Sequence, residues 1–549
     1  MAATRTVEDA AAAQKTQRID AVMSPWANED SPGCAVAVVR DRALIHAKGY
    51  GMADLEHAVP ITPDTVFYIA STSKQFTASA VLLAAADGTL RLDDDVRVHV
   101  PVLPKHGKTP TTLRHLLHHT GGLRDYGTLL MLGGSREQGV TTVHETIELL
   151  SRQRGIDFEP GTKFEYSNTG YFLLAQAVEH ATGQSLATYL DAKVFEPLGM
   201  ERTQVLDDPN RIVPGRAIGY APHDEGWRIY MSGWEQTGGT AVMSTVVDLA
   251  KWDANFYDPK VGGPSLVDGL QTRGTLTDGT QLDYAAGLFH GNYRGQPTVW
   301  HAGGAVGYRA QLERFPALNT TIVVLCNAAS ARPDELAHKI ADVVLEEDLL
   351  GEPNAGSLLL HEPARPPVEL TTKKLDAWVA TYRETTTGEL IMVDRTDEAL
   401  ELVAGGERAV LVPTSERTFQ LGPLPITIEF DGTRPRRTVT AKGLVVFEAE
   451  RFGEVELREP TAGELAALAG RYRSDELGTE WRLSVSGDTL VATGRIFDEP
   501  AALLSAIEDE YTVTSIGATL RFTRNGRDRV TGFTFGVGST RGIRFDRVR

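Results

Sequence analysis

The segment Tyr68-Ile-Ala-Ser-Thr-Ser-Lys-Gln-Phe-Thr77 joins a strand-like apolar run to an apolar-periodic stretch that continues through Leu83 and ends at Gly88. This change of pattern predicts a helix that begins near Ser71. Because residues three apart share one face of a helix, Lys74 can reach the Ser71 hydroxyl. Ser71 would also lie in the first turn, where backbone N–H groups have no intrahelical partners.

The Ser71 and Lys74 pair is typical of nucleophilic catalysis. A serine hydroxyl is a weak nucleophile until a base takes its proton, and a desolvated lysine with a lowered pKa is one such base. The alternative is an N-cap serine followed by a surface lysine, which is the simpler interpretation of an isolated match. Ser71 is the only serine with a lysine three residues later, and further motifs favour catalysis.

Tyr166-Ser-Asn168 follows a Pro-Gly turn and is predicted to lie on a loop against the site. The tyrosine oxygen can share proton transfer with Lys74, and the Asn168 amide can bind a substrate carbonyl or hold the lysine. An ordinary polar turn with a half-buried tyrosine is the alternative.

His301-Ala-Gly303, followed by Gly304, is predicted to lie at the edge of a strand. Small residues there let a substrate backbone lie alongside, and an N–H after Gly303 can form an oxyanion hole with the Ser71 N–H.

A second His-x-Gly motif, His119-Thr-Gly121, ends a helix-like stretch, and Gly121 is interpreted as the C-terminal cap of that helix. His115 and His119 are four residues apart, a spacing that can hold zinc. No third ligand is evident nearby, so packing histidines are favoured and no metal is expected.

The chain has 549 residues with 55 Lys plus Arg and 73 Asp plus Glu, which gives a net charge of −18. This charge repels phosphate backbones and anionic lipids, so neither nucleic acid nor a membrane is expected as a partner. The N-terminus lacks the pattern of a secretory signal, which makes a cytoplasmic location the expectation. Cys34 and Cys326 lie far apart in apolar runs and are expected to be buried free thiols.

Composition divides the chain into unlike parts. Residues 1–350 alternate strand-like and helix-like patterns, and the Pro/Gly-rich stretch at 351–370 is predicted to be a linker. Short alternating runs then predict antiparallel barrels at 371–457 and 464–549. The two barrels repeat one pattern, in which Leu375, Tyr382-Arg383, Gly388 and Leu400 recur as Leu465, Tyr472-Arg473, Gly478 and Leu490.

Ser71-x-x-Lys74, Tyr166-x-Asn168 and His301-x-Gly303, in that order, resemble the three motifs of the penicillin-recognising serine hydrolases, which include class C β-lactamases. The resemblance spans the first 350 residues and is greatest to the bacterial D-aminopeptidase branch, which also carries two C-terminal barrels. It implies a multidomain α+β fold: a β-lactamase/transpeptidase-like domain, with an antiparallel sheet flanked by helices beside a helical lobe, followed by two lipocalin-like barrels.

The resemblance also implies an acyl-enzyme on Ser71, proton transfer by Lys74 and Tyr166, Asn168 and His301 lining the site, and no cofactor. Many relatives place a lysine where His301 stands, and a mostly neutral histidine grips a substrate carboxylate less well. A D-aminopeptidase or D-amino-acid amidase acting on small peptides, amides or esters is therefore expected. The alternatives are a broad esterase, a D-acyl cyclase or thioesterase, and a non-catalytic ligand sensor.

Two expectations concern the substrate pocket. The hairpin around residues 514–518 looks shorter than the D-aminopeptidase loop that enters the active site, which predicts a more open pocket. A substrate ammonium needs an acidic partner, for which the candidates are Asp125, Glu508, Asp509 and Glu510. The oligomeric state is left open, with a homodimer as one option.

Overall fold

The computed structural model describes residues 2–136, 138–350, 367–384, 387–396, 399–405, 407–421, 426–442 and 450–548. It confirms the fold class: an antiparallel sheet flanked by helices is followed by two closed barrels of eight antiparallel strands. Most of the predicted linker, residues 351–366, lies outside the described residues. Among those that are described, no helix is long and apolar enough to cross a membrane.

The first part of the chain contains the catalytic unit. Its strands are β1 Cys34–Arg40, β2 Ala43–Tyr50, β3 Met52–Asp54, β4 Val59–Pro60, β5 Phe67–Tyr68, β6 Val140–Thr141, β7 Gln204–Val205, β8 Tyr220–His223, β9 Gly226–Ile229, β10 Gly233–Trp234, β11 Val242–Ser244, β12 Phe289–Tyr293, β13 Gln296–Ala305, β14 Tyr308–Phe315 and β15 Thr320–Cys326. Its helices are α1 Ala2–Met23, α2 Lys74–Ala86, α3 Leu113–Leu117, α4 Tyr126–Leu132, α5 Val143–Ser151, α6 Asn168–Thr182, α7 Leu186–Leu190, α8 Glu196–Leu198, α9 Val246–Tyr257, α10 Gly263–Gln271 and α11 Pro333–Val344.

The central sheet has the order β12-β13-β14-β15-β1-β2 and is buried on both faces of β1. Alternate side chains of a strand point to opposite faces. Val36 and Val38 therefore join one apolar cluster with α11, whereas Ala35 and Ala37 join another with α9. The sheet is the scaffold on which β13 and the start of α2 are placed.

The two cysteines form a disulfide, so the expectation of free thiols is wrong. Cys34 and Cys326 are separated by 292 residues in sequence, yet they are directly opposite in the β1–β15 register. The sheet brings the first and last strands of the catalytic unit together. This pairing depends on strand order, which the local patterns around either cysteine do not report.

Helix α2 is almost entirely buried over its first two turns, between α6, α7 and α10. The sequence predicted a helix from near Ser71, whereas the structure has a 3₁₀ turn at Ala70–Ser73 before α2 begins. The helix ends at Ala86, just before Gly88, as predicted.

The C-terminal part of the chain forms the barrels. The first barrel contains β16 Ala380–Glu384, β17 Leu390–Arg395, β18 Leu400–Ala404, β19 Glu407–Pro413, β20 Thr418–Leu421, β21 Thr427–Asp431, β22 Thr438–Lys442 and β23 Glu450–Val455, preceded by α12 Thr372–Asp376. The second contains β24 Gly470–Ser474, β25 Thr479–Ser486, β26 Thr489–Thr493, β27 Ala501–Ile507, β28 Glu510–Val513, β29 Ala518–Arg524, β30 Val530–Val537 and β31 Thr540–Arg547, preceded by α13 Ala462–Leu468.

The predicted repeat has a structural basis in the first strand of each barrel. The Tyr382 hydroxyl donates to the Trp378 carbonyl at 2.8 Å, and the Tyr472 hydroxyl donates to the Leu468 carbonyl at 2.6 Å. Each tyrosine thus ties its strand to the end of the preceding helical segment. The second barrel also shares an apolar cluster with helices of the catalytic unit, among them α4 and α6.

Candidate active site

The nucleophile candidate Ser71 lies in the turn between β5 and α2 and is partly exposed. Ser73 Oγ accepts a hydrogen bond from the Val242 N–H at 3.1 Å, which fixes this turn to β11. The Thr72 hydroxyl donates to the His301 carbonyl at 3.3 Å, which fixes it to β13. The turn therefore holds Ser71 between two strands and leaves it partly exposed.

Lys74 is fully buried beside Ser71. Its Nζ donates to Ser71 Oγ at 3.2 Å, to Asn168 Oδ1 at 2.8 Å and to the Gly239 carbonyl at 2.8 Å. All three acceptors are neutral, and within the described residues Lys74 forms no ion pair. Burial lowers the pKa of Lys74 to about 7, although the charge of Asp125 opposes this shift.

Tyr166 completes this group. Its hydroxyl hydrogen-bonds to the side chain of Ser71, and burial raises its pKa above the ordinary value for a phenol. Lys74 Nζ lies 4.7 Å from the centroid of the Tyr166 ring. The structure thus brings Ser71, Lys74, Tyr166 and Asn168 together, with a phenol that keeps its proton next to an amine that loses its own easily.

Asn168 is the first residue of α6, whereas the sequence predicted that it lies on the loop with Tyr166. The Ser167 side chain caps this helix by accepting from the Thr169 N–H at 3.2 Å. Helix α6 therefore holds the Asn168 amide rigidly against Lys74.

His301 is buried in β13, and neither ring nitrogen reaches Ser71 in a described hydrogen bond. Nδ1 lies 2.6 Å from the Ala302 carbonyl oxygen, which can only accept, so Nδ1 carries the proton. Nε2 then accepts from the Tyr284 hydroxyl at 3.3 Å. Burial, followed by the Lys74 charge, lowers the pKa of His301 to about 3, so the ring is neutral.

The last residues of β13 form an open edge next to the nucleophile turn. Pairing of β12 with β13 stops at Trp300, so residues 301–305 pair only with β14. A Cβ on Gly303 would lie 2.2 Å from the Ile69 carbonyl oxygen, so only glycine lets β13 approach the turn this closely. Gly304 follows on the same edge, without such a close neighbour.

Residues 13–345 match the Beta-lactamase family. The chain belongs to this family. It is an enzyme of the penicillin-recognising serine hydrolase group, as the three motifs predicted. Two curated D-aminopeptidases are similar to it: that of Gluconobacter oxydans is 29% identical over 84% of this chain and 83% of its own length, and that of Brucella ovis is 26% identical over 95% and 96%.

A solved structure also supports the fold. The octameric penicillin-binding protein homologue from Pyrococcus abyssi aligns with a TM-score of 0.56 at 24% identity, over 80% of this chain and 99% of that one. The aligned region is therefore larger than the catalytic unit of this chain.

The sequence predicts that His119 is a packing histidine at a helix end, whereas the structure places it against Tyr166. Helix α3 ends at Leu117, and His119 has a left-handed backbone with φ of 55°. In the segment that follows α3, His119 and Gly122 have positive φ and Gly121 does not. The helix cap is His118, so the assignment of Gly121 as the cap is wrong. The left-handed turn directs the buried ring to 4.2 Å from the ring of Tyr166. His115 stays in α3, where its Nδ1 accepts from the Thr112 N–H.

Four of the twelve non-glycine residues with positive φ in the described part of the chain flank the segments that form the site. They are Ala70, His119, Ala241 and Val306, with φ of 47°, 55°, 80° and 43°, and all four are buried. Such conformations cost about 1–3 kcal/mol each and persist only where the surrounding structure enforces them. The fold therefore accepts local strain to place the nucleophile turn, the Tyr166 loop and the end of β13.

Three of the four acidic candidates for binding an ammonium group already have partners. Asp125 accepts from the Asn168 N–H at 2.7 Å and the Thr128 N–H at 3.1 Å, which starts two helices. Asp509 pairs with Arg524, and Glu510 pairs with Arg383 of the first barrel. No described hydrogen bond or ion pair of Glu508 reaches the site.

The hairpin at residues 514–517 faces the first barrel, because Gly517 lies against Gly405. The second barrel touches the catalytic unit elsewhere, where Glu476 pairs with the buried Arg124 at 2.6 Å.

Proposed function

We propose that this chain is a D-stereospecific aminopeptidase or D-amino-acid amidase that releases N-terminal D-residues from peptides, amides or esters through an acyl-enzyme on Ser71. The observation that carries the proposal is the buried Lys74 amine, which is bonded to the Ser71 hydroxyl and to neutral acceptors only. The D-aminopeptidases similar to this chain support the substrate class.

Proton transfers follow from the two pKa shifts. Lys74, with a pKa of about 7, is partly deprotonated at neutral pH and takes the proton of Ser71 as the oxygen attacks the carbonyl carbon. Tyr166 stays protonated and gives its proton to the leaving amine. Lys74 then returns a proton to the phenolate, and water releases the acyl group by the reverse sequence.

The groups around Ser71 and Lys74 position the amine and the substrate. Asn168 Oδ1 holds Lys74, which leaves the Nδ2 amide free to donate to a carbonyl of the substrate. The Ser71 N–H and the open edge of β13 at Gly303 and Gly304 serve the developing oxyanion.

The neutral His301 favours substrates without a carboxylate next to the reacting carbonyl. A permanent cation at this position would grip such a group, whereas the His301 ring is uncharged and both nitrogens are engaged. This argues for amides and esters over penicillins and C-terminal D-alanine peptides.

A broad esterase is the second candidate. One observation favours it: both Asp125 oxygens are already bonded to helix N–H groups, so this acid is poorly placed to bind a substrate ammonium. An ester without an amino group needs no such partner.

The test of catalysis is labelling by a fluorophosphonate probe, with Ser71→Ala as the comparison. Labelling of the wild type alone supports the enzyme, whereas equal labelling, or none in either, refutes it. Hydrolysis of D-alanine p-nitroanilide, its L isomer, p-nitrophenyl butyrate and nitrocefin is then compared. Preference for the D-anilide supports the proposal, and turnover of the ester with both anilides untouched selects the esterase.

A further inference from the structure

His119 binds the backbone on both sides of Tyr166. Its ring Nδ1 accepts a hydrogen bond from the Ser167 N–H at 3.1 Å. Its own carbonyl oxygen accepts one from the Glu165 N–H at 2.8 Å. One residue therefore fixes the amide groups of both neighbours of Tyr166, and a shift of His119 would move the phenol relative to Ser71.

The same ring also supports the Tyr166 side chain. The two ring centroids are 4.2 Å apart with an angle of 33° between the planes. On its other sides the His119 ring lies 4.6 Å from Tyr284 and 5.0 Å from Tyr171. These aromatic neighbours limit the movement of the imidazole, which in turn limits the movement of Tyr166.

His119 has no contact that would let it handle the proton itself. Nδ1 accepts from an N–H, so it carries no proton, and the proton of the neutral ring lies on Nε2. Nε2 is buried and has no hydrogen-bond partner within the described residues. Burial and the nearby Lys74 charge lower the pKa of His119 far below its usual value. The ring is a fixed neutral acceptor.

The backbone explains why a histidine can stand here. With φ of 55°, residue 119 is in the left-handed region, where asparagine, aspartate and histidine are enriched among non-glycine residues. Asparagine would tolerate this backbone and carries Oδ1 at the position of the histidine Nδ1. Phenylalanine would keep a ring but no acceptor, and alanine would keep neither.

We propose that His119 is a positioning residue that sets the location of the Tyr166 phenol for proton transfer to the leaving group. The proposal rests on the proposed function, which gives Tyr166 its role in proton transfer. His119 acts through hydrogen bonds to the residues that flank Tyr166 and through ring contact, and it does not touch the substrate. It adds a fourth segment of the chain to the three motifs.

The experiment compares His119→Ala, His119→Asn and His119→Phe by fluorophosphonate labelling rate and by kcat and KM on the best substrate of the panel above. We expect His119→Ala to lower kcat by about 10- to 100-fold with KM within about twofold, because a displacement near 1 Å has effects of this size. His119→Asn should recover most of the loss and His119→Phe less. His115→Ala is the matched control, since it removes an acceptor of the Thr112 N–H and His115 has no described contact with Tyr166.

A double-mutant cycle with Tyr166→Phe separates positioning from general damage. The effect of His119→Ala should largely disappear once the phenol is absent. A wild-type kcat in folded His119→Ala, or an equal loss in both backgrounds, would overturn the proposal. If His119→Ala does not fold, equal rates for the Asn and Phe variants would overturn it. A Tyr166→Phe enzyme with the wild-type rate would instead refute the proton-transfer role of Tyr166, and this proposal with it.

Discussion

Two buried cations of the catalytic unit have opposite surroundings. Lys74 in α2 is bonded to a hydroxyl, an amide oxygen and a backbone carbonyl. Arg314 in β14 donates its Nε–H to Asp253 Oδ1 at 2.7 Å, and its guanidinium lies 3.8 Å from the centroid of the Phe256 ring. Asp253 also accepts from the Thr321 hydroxyl at 2.8 Å, which joins α9 to two strands.

The difference in partners distinguishes an amine suited to proton transfer from a cation that stabilises the fold. A buried cation facing a carboxylate stays charged, and removing one partner leaves the other charge uncompensated. A buried amine with neutral acceptors is destabilised in its charged form, so its pKa falls and it becomes a proton acceptor near neutral pH. Burial alone therefore does not identify a catalytic residue. The groups that hydrogen-bond to a buried cation determine whether it can act as a proton acceptor.

Lys74→Met should produce the largest change in activity. We expect the fluorophosphonate labelling rate to fall by about 1,000-fold or more, because Ser71 loses its base, while the melting temperature stays unchanged or rises. Lys251→Met is the matched control, since Lys251 pairs with Asp248 at 2.9 Å and should be dispensable for labelling. If the Lys74→Met protein is labelled at the wild-type rate, Lys74 is not the base that activates Ser71.

Arg314→Met should reverse this pattern. The substitution leaves Asp253 buried without its cation, and we expect a loss of about 3–5 kcal/mol in the free energy of unfolding, measured in urea. Adding Asp253→Asn should recover part of this loss, because the uncompensated charge disappears. Unchanged stability in the single variant would show that the Arg314–Asp253 pair does not hold α9 to the sheet.

Ser71, Lys74 and Tyr166 were predicted from motifs with fixed spacing, and the structure brings their side chains together. The two barrels were predicted from one repeated pattern and are present in the structure. Two features were missed because they depend on long-range placement. The Cys34–Cys326 disulfide depends on the order of strands in the sheet. The position of His119 beside Tyr166 depends on a left-handed turn, which a histidine can adopt without any glycine to indicate it.

The pH dependence should report the Lys74 surroundings directly. In the proposed mechanism the amine acts in its neutral form, and burial lowers the pKa of Lys74 to about 7, so labelling should fall about tenfold per pH unit below that pKa. The unfolded chain, with an ordinary lysine pKa near 10.5, binds more protons between pH 7 and 10.5 than the folded chain does. The stability of the wild type should therefore rise with pH across this window relative to Lys74→Met.

Labelling rates and urea unfolding of both proteins from pH 5 to 10 provide the measurement. Two results would show that Lys74 is not desolvated as the contacts indicate. One is a labelling rate that begins to fall well above pH 9, and the other is a stability difference between the wild type and Lys74→Met that does not change with pH. His301→Asn should leave the acid limb in place, because the His301 ring is already neutral throughout this range.

The smallest expected effect concerns a third buried cation, Arg124, whose shortest ion pair is with Glu476 of the second barrel. Glu476 accepts from Arg124 at 2.6 Å, from the Arg154 N–H at 2.9 Å and from the Arg544 N–H at 2.9 Å. Glu476→Gln replaces one acceptor oxygen by a donor and should cost about 2 kcal/mol of unfolding free energy. Glu480→Gln, at an exposed pair with Arg471, should cost almost nothing.

Because Asp125 follows Arg124 and binds the Asn168 N–H, a fall in labelling rate beyond the stability loss would show that the barrel also supports the Lys74 site.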